Sequence, residues 1–259
     1  MSNLLKTRFH QGHQTSAFPK GPQILLERFR GLPVIDAAKC TESCTACADA
    51  CPTEAILTGP LRLDLGACLF CPLCETACPE GAIAFTPDHR LATRTRGDLL
   101  LSGPAIKLAS ALEERTRKLL GRSLKLRQVS AGGCNGCEAE LTATGNVIFD
   151  LGRFGIQFVA SPRHADGIVV TGPVTRNMES ALRETYQAVP TPRIVIATGA
   201  CAISGGPFAG ADASLNGIPS DIPVDLYIPG CPPHPLTVLD GLLRLLGRLE
   251  RRNSHPERL

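Results

Sequence analysis

The 259-residue chain has no tryptophan, only two tyrosines and two methionines, and aromatic residues make up 4% of it. Platforms that stack nucleic-acid bases need those rings, so their scarcity argues against that class of partner. The net charge of +3 and the isoelectric point near 8.3 are also too mild for a nucleic-acid footprint. No stretch approaches the length of a bilayer span. The opening segment MSNLLKTRFHQGHQT holds neither an apolar signal core nor a twin arginine, and the Arg251-Arg252 pair lies near the other end. From these absences the chain is expected in the cytoplasm. No G-x-G-x-x-G follows the first α/β strand described below, so a flavin or nucleotide fingerprint is lacking.

Cysteine, in contrast, is abundant, and all twelve fall into three sets of four. Cys40, Cys44, Cys47 and Cys51 form C-x3-C-x2-C-x3-C-P. Cys68, Cys71, Cys74 and Cys78 form C-x2-C-x2-C-x3-C-P, the bacterial two-cluster ferredoxin run. In a reducing compartment such thiols read as metal ligands rather than disulfides. Two-residue spacers let a loop wrap an inorganic cube, and the fourth ligand comes from the other motif. Pro52 and Pro79 end each run and redirect the chain. One cluster is therefore assigned to Cys40, Cys44, Cys47 and Cys78, the other to Cys68, Cys71, Cys74 and Cys51. An internal repeat supports this: CPTEAI from Cys51 mirrors CPEGAI from Cys78, and Ile35-Asp36 mirrors Leu63-Asp64. The repeat offset drops from 28 to 27 between Cys40 and Cys44, one extra residue that admits a three-iron cluster or a cube of unusual potential there.

The expected organisation is an N-terminal extension over 1–30, a two-cluster ferredoxin-like α+β domain over 31–95 and a linker helix over 96–123. An α/β domain over 124–250 and a basic tail over 251–259 follow. His10 and His13 in the extension are too few to make a metal site. The ferredoxin unit is expected to have little apolar core beyond its clusters. Ser102-Gly103-Pro104 reads as a helix start and Gly121 as its stop, with Leu108, Leu112, Arg115 and Leu119 on one face. Five arginines (Arg244, Arg248, Arg251, Arg252 and Arg258) suit either a partner or acidic membrane surface, or an ordinary frayed terminus.

From about 124 the texture alternates β and α. Strands are expected at 124–130, 156–160, 167–171, 193–197 and 224–228, the later ones buried on both faces. Helical periodicity runs over Met178–Ala188 and Leu236–Leu249. This predicts an open, mostly parallel, flavodoxin-like sheet. The last four cysteines follow the first strand (Cys134, Cys137), the fourth (Cys201) and the fifth (Cys231), so they gather at the carboxyl edge where such sheets bind ligands. Gly132, Gly133, Gly136, Gly199 and Gly230 permit close backbone approach. A zinc ribbon would need two nearby C-x2-C pairs, and a thioredoxin-like disulfide would leave Cys201 and Cys231 idle. A third cluster fits better. Glu138 and Glu140 read as helix-start residues suited to the dipole, with a proton relay as the alternative.

GGCNGCE, SPRHADGIVVTGPVT (161–175), ATGACA and YIPGCPP resemble the small subunit of group 4 (energy-converting) nickel–iron hydrogenases, as in formate hydrogenlyase. They are also similar to the 20 kDa subunit of respiratory complex I. Residues 31–95 resemble the separate ferredoxin-like subunit of the same complexes, which makes the chain look like a fusion. Complex I subunits of this type carry adjacent cysteines at the first ligand position, whereas Cys134 and Cys137 are spaced C-x2-C as in the hydrogenases. The resemblance implies three [4Fe-4S] clusters in an electron-transfer subunit, the third lying nearest the catalytic centre of a large nickel–iron-type subunit. It also implies peripheral attachment at the inner face of the cytoplasmic membrane through membrane subunits, an unread upstream electron donor and no catalytic residue in this chain. The alternative terminus is quinone in a complex I-like enzyme; a free soluble carrier would need only the ferredoxin unit.

Overall fold

The computed structural model describes residues 3–23, 25–41, 43–120 and 123–249. Helix α1 (Asn3–Gln11) opens the chain and buries none of its residues. The segment after it lies on the α/β domain. Ser16 donates its N–H to the Ile148 carbonyl, Arg153 holds the carbonyls of Ser16 and Phe18, and Phe18 packs into that domain's core.

Two small antiparallel sheets frame the first eight cysteines. Strands β1 (Pro33–Ile35) and β4 (Ile83–Phe85) pair with each other; β2 (Ile56–Leu57), β3 (Arg62–Asp64) and β5 (Leu100–Leu101) form the second sheet. Short helices α2 (Ala46–Asp49) and α3 (Leu73–Ala77) sit at equivalent places in the two halves of the repeat. Two expectations need correction here. β5 pairs with β3 through Leu63 and Leu101, so a boundary at 95 cuts through this unit. The unit also has a real apolar core, with Ile35, Leu63, Leu65, Ile83, Leu91, Leu99 and Leu101 all but fully buried.

The brace is shorter than its sequence suggests. Residues 105–113 are irregular and only α4 (Glu114–Leu120) is helical. Ala109 donates to the Ala92 carbonyl and Leu112 to the Leu245 carbonyl, so backbone groups that a helix would use internally bond other segments instead. Leu112 and Leu120 are buried while Leu119 is exposed. Gly121 lies outside the described residues.

The large domain is one parallel sheet of five strands: β6 (Leu124–Ser130), β7 (Ile156–Phe158), β8 (Gly167–Thr171), β9 (Ile194–Thr198) and β10 (Leu226–Ile228). Their spatial order is β10-β9-β8-β6-β7, the flavodoxin-like order 2-1-3-4-5 read from the other edge. Every residue of β8 and β9 is buried, as expected of central strands covered on both faces. β7 is not, because it is an edge strand with Gln157 exposed. Helices α5 (Gly136–Ala143), α6 (Arg176–Ala188), α7 (Ala200–Ser204) and α8 (Pro235–Leu245) follow β6, β8, β9 and β10. One face packs Leu126, Val169, Ile196 and Ile228 against Leu141 of α5 and the leucines of α8; Val129, Ile168, Val170 and Val195 pack on the other.

The two units touch. Thr93 and Tyr227 exchange backbone hydrogen bonds at 3.0 and 2.9 Å. Ser204 donates its hydroxyl to the Gly66 carbonyl at 2.9 Å. A methyl group at Gly66 would lie 2.7 Å from the Ile203 side chain, so this approach requires glycine.

Arg244 does not belong to a basic tail. It is buried on α8 and bonds Asp240 at 2.7 Å, while Arg248 bonds the Phe154 carbonyl. Arg251, Arg252 and Arg258 lie outside the described residues. Among the described residues no helix is long and apolar enough to cross a membrane.

Candidate metal centres

Each half of the repeat places three cysteines on a loop and short helix, and the proline-ended turn carries the fourth toward the other half. Cys40, Cys44 and Cys47 line one hollow, and its fourth cysteine is Cys78. Cys68, Cys71 and Cys74 line another together with Cys51. The two crossing cysteines are held alike: Cys51 accepts the Ala55 N–H and Cys78 the Ala82 N–H, both at 3.2 Å. Cys68 accepts the Phe70 N–H at 3.3 Å.

Burial pushes the Cys68 thiol up to about 12, with Cys74, Cys51 and Cys71 adding repulsion against the Phe70 N–H. Burial and then Cys71 and Cys51 bring Cys74 to about 11. Cys47 is raised by burial, then by Cys78 and Cys40. Thiols so crowded become thiolates when a cationic centre offsets the charge, and metal ligation is the chemistry that does this. Among the described residues no group of three or more His, Cys, Asp or Glu is disposed to hold a single metal ion. The first two thiol sets instead surround hollows suited to a polynuclear, all-sulfur-ligated core.

The third set assembles at the carboxyl edge of the large sheet. Cys134 and Cys137 stand in the turn from β6 into α5, Cys201 in the first turn of α7, and Cys231 in the loop from β10 to α8. Gly199, at φ +88°, lies under Cys137: a methyl group there would sit 2.5 Å from the sulfur. Burial raises Cys137, followed by the charges of Glu138, Cys201, Cys231 and Cys134; burial, then Cys231 and Cys134, bring Cys201 to about 11. Cys231 is raised by burial and then by Cys134. All four thiols therefore share one locality. Cys134 and Cys231 are exposed, Cys201 is buried and Cys137 is half-buried, so the set opens toward solvent on one side.

Glu138 does something its sequence position does not suggest. It is buried in the first turn of α5, yet its carboxylate reaches beyond its own helix. One oxygen accepts the Ser130 hydroxyl at 2.7 Å and the Thr171 hydroxyl at 2.6 Å, tying α5 to the ends of β6 and β8. Burial works to raise its pKa, but those hydroxyls and its own backbone N–H hold it below the usual range. Glu140 is raised by burial alone. Sequence reasoning missed Ser130, Thr171, Thr198 and Ser204, although a signal was present: three strands end in a hydroxyl residue just before a glycine loop (SAGG, TGP, TGA). His10 is exposed, and the His13 ring bonds Arg8.

Comparison with known proteins covers this sheet and its cysteine edge. Residues 134–245 match the family model "NADH ubiquinone oxidoreductase, 20 Kd subunit". The chain is 47% identical over 135 residues to formate hydrogenlyase subunit 7 of Escherichia coli, covering 52% of this chain and 53% of that one. It is 42% identical over 136 residues to the probable membrane-bound hydrogenase subunit mbhJ of Pyrococcus furiosus, 52% of this chain and 80% of that one. It is 45% identical over 115 residues to an NADH-quinone oxidoreductase subunit of Heliobacterium modesticaldum, 44% of this chain and 66% of that one. The chain thus spans about half the length of formate hydrogenlyase subunit 7. With four-fifths of the Pyrococcus subunit spanned at this identity, the chain belongs to the 20 Kd subunit family of NADH ubiquinone oxidoreductase and the membrane-bound hydrogenases.

Proposed function

We propose that this chain is the iron–sulfur electron-transfer subunit of a membrane-associated nickel–iron hydrogenase complex. Two ferredoxin-type sites pass electrons to or from a third site beside a large catalytic subunit. The observation that carries this reading is the gathering of Cys134, Cys137, Cys201 and Cys231 at one sheet edge, in a chain whose other eight cysteines line two hollows. The ligand sets are Cys40, Cys44, Cys47 and Cys78; Cys51, Cys68, Cys71 and Cys74; and the four at the sheet edge. When bound, [4Fe-4S] clusters supply one-electron transfer without bond making. The chain's own residues bind them, aim N–H groups at the sulfurs and fix the sites relative to one another through Gly66–Ser204 and Thr93–Tyr227.

The two-unit organisation, a ferredoxin-like unit fused to the small-subunit-like sheet, belongs to the same proposal. So do the partners: a large nickel–iron-type subunit over the exposed side of the third site, membrane subunits, and an upstream donor. No nucleic acid is involved, and the location is the inner face of the cytoplasmic membrane. A complex I-like subunit delivering electrons to quinone is the second reading, favoured by the 45% identity to the Heliobacterium NADH-quinone oxidoreductase subunit. The C-x2-C spacing of Cys134 and Cys137 weighs against it. The test is anaerobic purification of the native complex with assay of nickel, iron and sulfide. Nickel in a co-purifying large subunit and about twelve iron per chain, four for each cysteine set, are expected. A nickel-free complex reducing quinone would shift the assignment to the second reading.

A further inference from the structure

The last residues of three adjacent strands form a row. Ser130 of β6 stands opposite Thr171 of β8, and Thr198 of β9 stands opposite Ile228 of β10. Val170 pairs with Ala197, so Thr171 and Thr198 are the next neighbours in register. Alternation along each strand assigns the face. Thr198 follows Ile194 and Ile196, Thr171 follows Val169 and Ile228 follows Leu226, all on the side covered by α5 and α8. Cys137 belongs to α5, and the loop carrying Cys231 leads into α8. The row is therefore the floor of the third cysteine site.

Two of the three hydroxyls in the row have the same partner, Glu138. The third does not. Thr198 is fully buried, and its Oγ1 has no hydrogen-bonding partner among the described residues. It lies one strand beyond the reach of Glu138, immediately before Gly199, whose backbone runs beneath the Cys137 sulfur. A buried hydroxyl left unbonded is destabilising, whereas valine would fill the same space without that penalty. The acceptors assembled in this locality are the sulfurs.

We propose that Thr198 donates its hydroxyl to a sulfur of the group held by Cys134, Cys137, Cys201 and Cys231, and thereby raises that site's reduction potential. The inference rests on the proposed third cluster. Its direction follows from electrostatics: reduction adds negative charge, and a fixed donor stabilises the more negative state. Thr198 is a positioning and tuning residue, distinct from the ligands.

The test is an electron paramagnetic resonance redox titration of the full chain, anaerobically purified and loaded, as wild type, Thr198→Val, Thr198→Ser and Thr237→Val. Thr237, in the first turn of α8, is the control because its buried hydroxyl also lacks a partner among the described residues. Thr198→Val should lower the reduction equilibrium constant of the third site up to tenfold, equivalent to about 59 mV for one electron. The two ferredoxin-type sites should not move, Thr198→Ser should restore the wild-type midpoint, and Thr237→Val should leave it unchanged. An unaltered midpoint in Thr198→Val overturns the proposal. So do equal shifts in Thr198→Val and Thr237→Val, which would mean that a water joins the two hydroxyls. If Thr198→Val does not load the third site, Thr198→Ala gives the same comparison. Loading by serine but by neither valine nor alanine supports the donor, and loss in serine as well reduces Thr198 to packing. Wild-type protein with only eight iron would sink the third cluster itself, whereas twelve iron with an unmoved midpoint sinks this inference alone.

Discussion

Ala55 donates its backbone N–H to the sulfur of Cys51 at 3.2 Å, and the symmetry-related Ala82 does the same for Cys78. Each bond aims the sulfur of one half of the repeat into the hollow lined by the three cysteines of the other half. Cys51→Ala should therefore disturb the site of Cys68, Cys71 and Cys74 and spare that of Cys40, Cys44 and Cys47. Cys78→Ala should do the reverse. Resolving the two signals by electron paramagnetic resonance checks this, and disturbance of the unexpected site would refute the crossed ligation.

Replacing Cys134 or Cys231 by serine should remove the third site only. Both lie in loops of the large sheet, far in sequence from the eight cysteines of the repeat. Iron should fall by about four per chain. Artificial dyes should still reduce the remaining sites while turnover through the partner collapses. Undiminished turnover would show that the third set is not in the path.

Fold and cysteine grouping were legible because both rest on strong local signals. Val- and Ile-rich runs mark β8 and β9, where burial on both faces removes any alternation. Ligand spacing marks the first eight cysteines. What was not legible depends on contacts between elements distant in sequence. Ser102-Gly103-Pro104 has the composition of a helix start, yet Ala109 and Leu112 bond to other segments and no helix forms there. Glu138 looks like a first-turn acid until Ser130 and Thr171 arrive from two strands to claim it. Arg244 reads as part of a basic tail until α8 turns it inward onto Asp240.

That Asp240–Arg244 pair gives a stability prediction. Both side chains are buried, at 2% and 7% exposure, so neither can be left to water when the other is removed. Arg244→Met should destabilise the protein by about 3–5 kcal/mol, because the Asp240 carboxylate loses the cation that bonds it directly. Asp240→Asn in the same chain should recover much of the loss. Burial raises the Asp240 pKa, against the opposing bonds and charge of Arg244. A carboxyl whose folded pKa exceeds its unfolded value contributes most at low pH and loses that contribution as pH rises through the folded pKa. Thermal unfolding of Arg244→Met should therefore worsen from mildly acid toward neutral pH more steeply than in wild type. A flat difference across that window would exclude Asp240 as the cause.

The proposed partner-facing edge can be tested only with residues that are free to change. Ala202 and Pro233 border the third site in sequence, but both are buried, and Ile203 packs against the ferredoxin-type core. A charge at Ala202 or Pro233 would damage the chain before it touched a partner. Phe208, by contrast, is 42% exposed just beyond α7, and Pro232 is exposed beside the exposed Cys231. Pro232 and the two exposed cysteines, with the exposed Phe208 ring just beyond α7, suit burial under the proposed large subunit, since thiolate-bound clusters open to solvent are prone to oxidation. Phe208→Asp should release the proposed large subunit while thermal unfolding and iron content of the chain stay near wild type. Desolvating an unpaired carboxylate at an interface core should weaken association by at least about tenfold, the equivalent of 1.4 kcal/mol. Size-exclusion profiles of the native complex read the outcome. Retention of the large subunit in Phe208→Asp would move the docking face away from this edge.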